Sequence, residues 1–368
     1  KMSKLVVINA TAAIEGGALI VLRQLLFNSP NLLRFIVFVS VDFDKLPKLD
    51  HMKYINPNVK SGLNRLYWDN FGLNSWCKTN LVKPTLIISM QNTGVKVDGN
   101  VKQLIYYHQT IPLYPYSWSL FKKSERNLWF YKNIYPFFVK QHVNDSTIFV
   151  VQFDWIKREL VKRLSIAPRI VNVVNPTASE IDDSLVYKLE LSDKFNIFYP
   201  ASHFNFKNHL EIVKGLNYLK QIGRNLNNLK IYFTLNKSAA SALVSIIYQY
   251  GLHDHFEFVG TLSFDQVLQY YKSCDLVVFP SFLESFGLPL VEAAKFGKKI
   301  LAADLDYARE VLAGYDGVMY LPIHNPHAWG DAIYKCSEQQ EKFNSWEPEF
   351  AKNSWGRFFE LVENFIRK

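Results

Sequence analysis

The chain has 368 residues, of which 49% are hydrophobic and 20% are charged. This composition excludes an intrinsically disordered chain, and the length suits two α/β domains better than one. Lysine and arginine number 42 against 33 aspartates and glutamates, a formal charge of +9 that favours anionic partners such as nucleic acid, acidic lipid or phosphorylated small molecules.

The three cysteines, Cys77, Cys274 and Cys336, are far apart, and none belongs to a CxxC pair. This spacing disfavours a disulfide framework and a structural zinc site. The first apolar run, residues 5–8, is too short for a secretory leader. No run reaches the roughly 18 apolar residues that a membrane span needs. We therefore expect a cytoplasmic protein with reduced thiols.

The first half of the chain alternates short apolar runs with amphipathic segments, as parallel sheets wound with helices do. We predict helices over residues 18–26 and 155–164 in this half. The predicted strands cover residues 5–8, 35–39, 85–88, 103–107, 147–151 and 170–174. These elements predict a first α/β domain over residues 1–185.

Two features of this half follow predicted strands. Gly16 and Gly17 open a helical pattern after the first strand, where glycine lets the backbone approach a ligand or simply forms a tight turn. His108 ends the strand over 103–107, a place where a lone histidine is often a satisfied polar residue. Neither a GxGxxG fingerprint nor a Walker A motif is present.

Residues 113–140 are dense in aromatic and basic side chains. This mixture suits the headgroup region of an anionic membrane, stacking on sugars or single-stranded nucleic acid, or a helix whose rings fill the core. We favour the membrane and expect no nucleic-acid partner. The residues concerned include Tyr114, Tyr116, Trp118, Phe121, Lys122, Lys123, Arg126, Trp129, Phe130 and Lys132.

The second half repeats the alternation more regularly and predicts a second α/β domain over 186–345, after a polar connection around 175–193. A last helical segment, 346–366, ends the chain and need not belong to the second sheet, so 346–368 is treated separately. The predicted strands are 195–199, 229–233, 256–259, 276–279, 299–302 and 318–321. The predicted helices are 209–221, 239–250, 264–273, 289–296 and 326–338.

The most informative segment is residues 279–294, FPSFLESFGLPLVEAA. A buried strand ends at Phe279, a loop containing Gly287 follows, and Pro289 stands at the start of a helix, where proline is well tolerated. Free backbone N–H groups at such a helix start favour an anion. Glu284 and Glu292 would accept hydrogen bonds from sugar hydroxyls, although an ordinary strand, loop and helix with two solvated glutamates has the same spacing.

The segment resembles the E-x7-E signature of retaining glycosyltransferases of the GT-B fold, especially glycosyltransferase family 4. The matching positions are Pro280-Ser281, Glu284, Phe286-Gly287, Glu292-Ala293 and Gly297. The resemblance extends over about residues 194–312, through Lys207-Asn208, Val259-Gly260, Asp265, Tyr271 and Asp275.

The resemblance implies two Rossmann-like domains facing across a cleft, with the donor on the second domain, the acceptor on the first, and the final helix returning to the first. Lys207 and the amides of Ser285, Phe286, Gly287 and Leu288 would stabilise the leaving diphosphate. Glu284 would orient the donor sugar and Glu292 would hold the ribose. Val259 and Gly260 would lie near the base.

The resemblance further implies that His108 positions the donor sugar and that the Gly16-Gly17 turn faces the donor phosphates or the acceptor. One position departs from the family, because Ser202, followed by His203, stands where an arginine often joins the lysine. Serine brings no charge. The diphosphate would therefore depend on Lys207, loop amides and, in one alternative, His203.

The resemblance and these observations predict a retaining, metal-independent hexosyltransferase acting on a nucleotide-diphosphate sugar and a glycan acceptor. We expect the acceptor to be lipid-linked, as in O-antigen or capsule assembly, at the inner face of the cytoplasmic membrane. The Asp42-x-Asp44 and Asp304-x-Asp306 matches are interpreted as surface loops rather than metal sites. Two alternatives remain: a nucleotide-sugar epimerase or soluble glucan synthase of the same fold, and an inactive basic adaptor that binds membrane or nucleic acid.

Overall fold

The computed structural model describes residues 4–59, 61–177 and 181–367. Within it the chain divides into two compact units. The first unit comprises the residues up to Thr177 together with those from Phe350 onward, and the second runs from Ala178 to Glu349. Each unit contains its own parallel sheet.

The first unit contains a seven-stranded parallel sheet in the order β3-β2-β1-β4-β5-β6-β7. A π-helical turn, Trp68–Gly72, joins α2 to α3. The strands are β1 (Leu5–Ala10), β2 (Arg34–Val39), β3 (Met52–Ile55), β4 (Leu86–Ser89), β5 (Lys102–Tyr106), β6 (Thr147–Val151) and β7 (Val171–Val173). The helices are α1 (Gly16–Phe27), α2 (Gly62–Tyr67), α3 (Leu73–Thr79), α4 (Arg126–Asn133), α5 (Tyr135–Lys140), α6 (Asp154–Leu164) and, after the second unit, α13 (Ser354–Arg367).

The second unit contains a six-stranded parallel sheet in the order β10-β9-β8-β11-β12-β13. Its strands are β8 (Phe195–Tyr199), β9 (Leu229–Phe233), β10 (Phe256–Phe258), β11 (Leu276–Phe279), β12 (Lys299–Ala303) and β13 (Val318–Leu321). Its helices are α7 (His209–Gln221), α8 (Ser241–Gln249), α9 (Phe264–Ser273), α10 (Leu288–Lys295), α11 (Asp306–Val311) and α12 (Pro326–Glu338).

The central strands are apolar on both faces because helices cover both faces of each sheet. In β1, Val6 and Ile8 belong to one core cluster while Val7 belongs to another. The first of these clusters includes Phe358 and Val362 of α13. This helix therefore completes the core of the first unit. Its start lies at Ser354, later than the predicted residue 346, because Pro348 disfavours a continuous helix there, and a separate 3₁₀ turn, Glu349–Ala351, precedes α13.

Each sheet has one point at which its strand order reverses. In the first unit the chain builds outward from β1 to β3 and then crosses to β4 on the other side of β1. In the second unit it builds from β8 to β10 and then crosses to β11. The residues that follow the carboxyl ends of β1 and β4, and of β8 and β11, occupy the positions at which open α/β sheets bind ligands. We call the residues that follow β1 and β4 the first switch edge, and those that follow β8 and β11 the second switch edge.

Candidate functional site

The second switch edge brings together two of the predicted site residues. Lys207 ends a short 3₁₀ turn, Asn205–Lys207, after β8, and Glu284 lies in the loop after β11. Lys207 Nζ donates a hydrogen bond to Glu284 Oε1, and the two side chains are 17% and 13% exposed. Such a charge-assisted contact in a partly buried place is stronger than a surface ion pair. The contact places one cation and one carboxylate together beyond the carboxyl ends of β8 and β11.

Two backbone features fix Lys207 in this position. Tyr199, the last residue of β8, donates its hydroxyl hydrogen to the carbonyl of Lys207. Asn208 then adopts a left-handed conformation at φ 57° before α7 begins, which asparagine tolerates better than most residues. The lysine is therefore presented by a tight turn between a strand end and a helix start, where phosphate groups are commonly bound.

Hydrogen bonds hold the start of the loop after β11, and a glycine conformation determines its end. The Phe282 amide donates to the carbonyl of Phe206 at 2.9 Å, and the Ser281 hydroxyl donates to the same carbonyl at 3.3 Å. Gly287 has φ +77°, and a Cβ there would lie 3.3 Å from the Tyr307 ring. Glycine is therefore required at this position, and α10 begins directly after it with Pro289 in its first turn.

Glu292 lies deeper than Glu284, on α10. It is 8% exposed, and its Oε2 accepts a hydrogen bond of 3.2 Å from the Tyr271 hydroxyl. Burial raises the pKa of Glu292 to about 7, although Tyr271 and Lys295 partly oppose this shift. The alternative of two solvated glutamates is wrong, because one carboxylate is ion-paired and the other is buried beside a tyrosine.

Ser202 and His203 lie exposed in the segment between β8 and the Lys207 turn. The His203 ring stacks on Phe204 with 5.4 Å between centroids. Sequence reasoning did not single out His209, which is buried at the start of α7. Burial, together with the Lys207 charge, lowers its pKa to about 3, so this ring is neutral at pH 7.

Val259 and Gly260 follow β10, at the same end of the second sheet. Gly260 has φ +74°, and a Cβ there would approach Asn236 Oδ1 to 3.0 Å. The Gly260 amide donates to the carbonyl of Leu235 at 3.2 Å. The glycine is needed for this close turn, whose proximity to a nucleotide base stays a prediction.

The predicted residues of the first unit lie near the first switch edge. Gly16 has φ +60° and begins α1 together with Gly17, with open space where either Cβ would stand. His108 follows β5, and its amide donates to Asn92 Oδ1 at 2.6 Å. Burial lowers the pKa of His108 to about 4, so it is neutral at pH 7. The roles of both features in a reaction stay predictions.

A buried carboxylate that sequence reasoning missed lies at the first switch edge. Asp69, in the π-helical turn, is 9% exposed and accepts hydrogen bonds from Asn9 at 2.8 Å and Gln91 at 3.1 Å. Thr93 contacts its other oxygen at 3.5 Å, and burial raises its pKa to about 7. No local sequence pattern marks Asp69, because its partners come from β1 and from the loop after β4.

The aromatic and basic segment begins in a short 3₁₀ helix, Ile111–Leu113, continues through a loop over residues 114–125 and ends in two short helices, α4 and α5. Phe121 is 91% and Phe137 65% exposed, so the rings do not all fill the core. Lys132 has a structural contact within this segment, because its ammonium donates hydrogen bonds to the carbonyls of Pro112 and Tyr114. Lys122 pairs with Glu125 at the surface, with 3.1 Å between Nζ and Oε1.

In residues 4–59, 61–177 and 181–367, no group of three or more His, Cys, Asp or Glu side chains could hold a metal ion. Asp304 of the second Asp-x-Asp match pairs instead with Arg309 at 2.5 Å. None of the helices in this described part combines the length and the apolar character that a bilayer crossing requires.

Comparisons with known proteins find similarity to glycosyltransferases. Residues 188–352, which include most of the second unit, match the family model "Glycosyl transferases group 1". The chain is 25% identical over 166 residues, 44% of its length, to an uncharacterized glycosyltransferase, MJ1607, of Methanocaldococcus jannaschii, and this alignment spans 43% of that relative. It is 22% identical over 285 residues to the O-antigen chain mannosyltransferase RfbU of Salmonella typhimurium, covering 73% and 74% of the two chains.

The whole chain also resembles solved structures. Anabaena HepE in complex with UDP-glucose superposes with a TM-score of 0.63 at 15% identity, covering 99% of this chain and 97% of HepE. At this identity the likeness concerns the fold alone. With a seven-stranded and a six-stranded parallel sheet, the protein has the GT-B architecture that the sequence predicts.

Proposed function

We propose that this protein is a retaining glycosyltransferase that moves a sugar from a nucleotide-diphosphate donor to a glycan acceptor. The observation that carries the proposal is the second switch edge, where Lys207 contacts Glu284 and Glu292 lies buried on the adjoining helix. The match of residues 188–352 to the group 1 model supports it. The names of RfbU, a mannosyltransferase, and of the HepE complex with UDP-glucose support a nucleotide-sugar donor.

In this proposal the charges of the second switch edge act on the departing diphosphate. Lys207 exchanges its contact with Glu284 for a phosphate oxygen, and the amides of residues 285–288 stabilise the developing negative charge. Glu284, released from the lysine, accepts hydrogen bonds from hydroxyls of the donor sugar. Glu292 accepts hydrogen bonds from the ribose hydroxyls, and its ionised form accepts them more strongly than its protonated form.

Transfer in this proposal needs no metal ion, because Lys207 and backbone amides supply the positive charge. We expect activity to persist in the presence of EDTA. Abolition of transfer by EDTA, with recovery on adding Mg²⁺ or Mn²⁺, would contradict this part of the proposal. His108 is proposed to orient the donor sugar in its neutral form, for which His108→Ala should reduce turnover and leave nucleotide affinity unchanged.

The acceptor that we propose is a lipid-linked glycan of surface polysaccharide assembly, at the inner face of the cytoplasmic membrane. The name of RfbU supports this class of product. Exposed Phe121 next to the bases Lys122, Lys123 and Arg126 supports a membrane contact. We expect anionic vesicles to bind the protein more strongly than neutral vesicles, and the paired change Lys122→Ala and Lys123→Ala to weaken this binding.

Salt provides the control for the membrane proposal, since screening at high ionic strength should release a protein that is held by exposed charges. Lys132→Ala tests the structural role of that lysine instead, and should lower the melting temperature. Equal binding to neutral and anionic vesicles would contradict the basic contact.

The two alternatives are tested by the products of the wild-type protein. We would incubate the protein with UDP-glucose or GDP-mannose and a glycan acceptor, and identify the products by mass spectrometry and NMR. A new α-linkage formed from an α-donor is expected. An epimerised sugar without transfer favours the epimerase, and a soluble glucan product favours the glucan synthase. A protein that binds no nucleotide but does bind vesicles favours the inactive adaptor.

A further inference from the structure

The first unit exposes a row of large apolar side chains along α2 and the π-helical turn that follows it. Leu63, Tyr67 and Phe71 are 80%, 66% and 56% exposed. Their spacing of four residues places them along one side of the helical segment, and the Tyr67 and Phe71 rings are neighbours, with 5.7 Å between their centroids. The segment packs inward through Trp68 and Asp69, which are buried. Its outer side therefore leaves an apolar row in solvent.

A second row of exposed apolar side chains lies on α4 and α5, and spacings of three and four residues align its members. They are Phe130 (41% exposed), Ile134 (40%) and Phe137 (65%). Gln141 Nε2 donates a hydrogen bond of 3.1 Å to Asn70 Oδ1. Asn70 directly precedes Phe71, and Gln141 lies one helical turn beyond Phe137. The two rows therefore meet at this hydrogen bond, and we call the two rows together the apolar ridge.

The charge close to the apolar ridge is mostly positive. The segments 61–72 and 120–141, which carry the ridge, contain six lysines and arginines against two aspartates and glutamates. Of the two acidic residues, Asp69 is buried, and Glu125 pairs with Lys122. Neither carboxylate therefore presents an unpaired negative charge at this surface.

The basic side chains divide into inward-directed and exposed ones. Arg65 and Lys132 are directed inward, since the Arg65 Nε atom is buried and the Lys132 ammonium donates to backbone carbonyls. Lys140 is exposed at the end of α5, and Lys96 Nζ lies 5.6 Å from the centre of the exposed Phe71 ring. Exposed bases therefore flank the apolar ridge on both of its rows.

We propose that the apolar ridge docks on an anionic bilayer, with its side chains among the lipid headgroups and the upper acyl chains. The proposal rests on the lipid-linked acceptor proposed above, and it adds an apolar contact to the basic contact at Lys122 and Lys123. Apolar side chains leave water in this arrangement while the flanking bases stay beside anionic headgroups. A second copy of this chain is disfavoured as the partner, because two positive surfaces would repel each other.

Docking of the apolar ridge also has a consequence for the first switch edge. The π-helical turn that contributes Phe71 to the ridge contributes Asp69 to this edge, where its carboxylate accepts from Asn9 at 2.8 Å. The ridge and the edge therefore belong to the same structural element. A membrane that contacts the ridge lies close to the edge, so a glycan carried by a lipid is presented near it.

Vesicle sedimentation tests the proposal without a donor or an acceptor. Vesicles of phosphatidylcholine and phosphatidylglycerol would be mixed with the wild type and with the double variant Tyr67→Ser and Phe71→Ser. We expect the double variant to bind at least about tenfold more weakly, because two rings no longer leave water. At high salt the wild type should keep part of its binding, whereas the double variant should lose nearly all of it, since charge attraction is screened.

The double variant Phe27→Ser and Leu32→Ser is the matched control, because these side chains are 75% and 80% exposed on the same unit. Phe27 ends α1, which connects two parallel strands, so it lies near the amino ends of the strands and away from the first switch edge. The control should bind vesicles like the wild type. Both double variants should keep the melting temperature of the wild type, since the replaced side chains are exposed.

Three outcomes would overturn the proposal. The wild type could bind anionic vesicles no better than neutral ones. The Tyr67→Ser and Phe71→Ser variant could bind as tightly as the wild type or the control. Analytical ultracentrifugation could show self-association that this variant abolishes, which would assign the ridge to a second copy. The variant should transfer sugar to a detached, water-soluble acceptor like the wild type, so a wild type that binds vesicles as expected and transfers to no acceptor contradicts the proposed function alone.

Discussion

The two switch edges show how one sheet topology supports two kinds of polar chemistry. The second edge presents a lysine on a tight turn, contacting a carboxylate, next to a glycine-dependent helix start. The first edge presents a carboxylate surrounded by amides and hydroxyls from Asn9, Gln91 and Thr93. The former edge therefore carries a cation, whereas the latter carries a buried carboxylate whose hydrogen-bond partners are neutral. The fold provides the position in each case, and the side chains decide the ligand.

The largest effect should follow from removing the cation of the second edge. Lys207→Ala should lower transfer about 100- to 1000-fold, because the charge that opposes the leaving diphosphate is lost. Steady-state kinetics with the identified donor would measure this. Lys230→Ala is a matched control, since Lys230 is 20% exposed and pairs with Glu257 at 3.5 Å. Equal activity of the two variants would remove Lys207 from the site.

Replacing Glu284 at the same edge should lower turnover without weakening nucleotide binding. Its proposed contact is with the sugar, whose geometry changes during transfer, so Glu284→Gln should depress kcat about 100-fold and leave nucleotide affinity nearly unchanged. Calorimetry with the nucleoside diphosphate would be paired with initial rates of transfer. A variant that loses nucleotide affinity and keeps its turnover would reverse the role assigned to Glu284.

The buried carboxylates of the two edges should act alike on stability. Burial raises the pKa values of Asp69 and Glu292 to about 7, so the folded protein holds more protons than the unfolded chain between about pH 4 and pH 7. Stability should fall as pH rises through this window and level off above it. Asp69→Asn should remove roughly 4 kcal/mol of this fall and Glu292→Gln roughly 3 kcal/mol.

Urea unfolding at pH 5 and pH 8 would measure the pH effect. Asp98→Asn is the control, since Asp98 is an exposed carboxylate paired with Lys78, and it should leave the fall in stability in place. A fall that is the same in the wild type and in both buried-site variants would show that neither carboxylate is protonated in the folded protein at pH 5.

The smallest effect concerns a residue that supports the second edge. Tyr307 is fully buried on α11, donates to Ser281 O at 2.7 Å and packs against Gly287. Tyr307→Phe should weaken nucleotide binding about three- to tenfold by loosening the loop that supplies the amides. Tyr315→Phe removes a similar bond, to Lys298 O, elsewhere in the same unit. Both variants should lose similar stability, and only Tyr307→Phe should lose affinity.

The sequence predicts the second sheet better than the first because its strands are continuous apolar runs between amphipathic helices. The strands Phe195–Tyr199, Leu229–Phe233 and Leu276–Phe279 have the predicted bounds. The strand Met52–Ile55 was not predicted because it is a half-buried edge strand that contains a lysine. The helix Asp306–Val311 was not predicted because six residues are too few to show a helical period.

The residues of the candidate site also differ in how well the sequence predicts them. Glu284 and Glu292 could be singled out because they stand at a fixed spacing within one motif, and Lys207 because it follows a strand as the lysine does in the family that the sequence resembles. Asp69 and Tyr307 were missed because their partners are distant in the chain, 60 residues away for Asn9 and 26 for Ser281. Contacts of this range depend on the fold, so a local pattern does not reveal them.

The central claim is that the second switch edge binds a nucleoside diphosphate, and the most direct test is calorimetric titration with UDP, GDP, ADP, dTDP and CDP. The wild type should bind one of these nucleotides, and Glu292→Gln should bind it at least about tenfold more weakly, because the amide replaces a carboxylate that accepts from the ribose. A wild-type protein that binds none of the five, or a Glu292→Gln variant with unchanged affinity, would contradict the account.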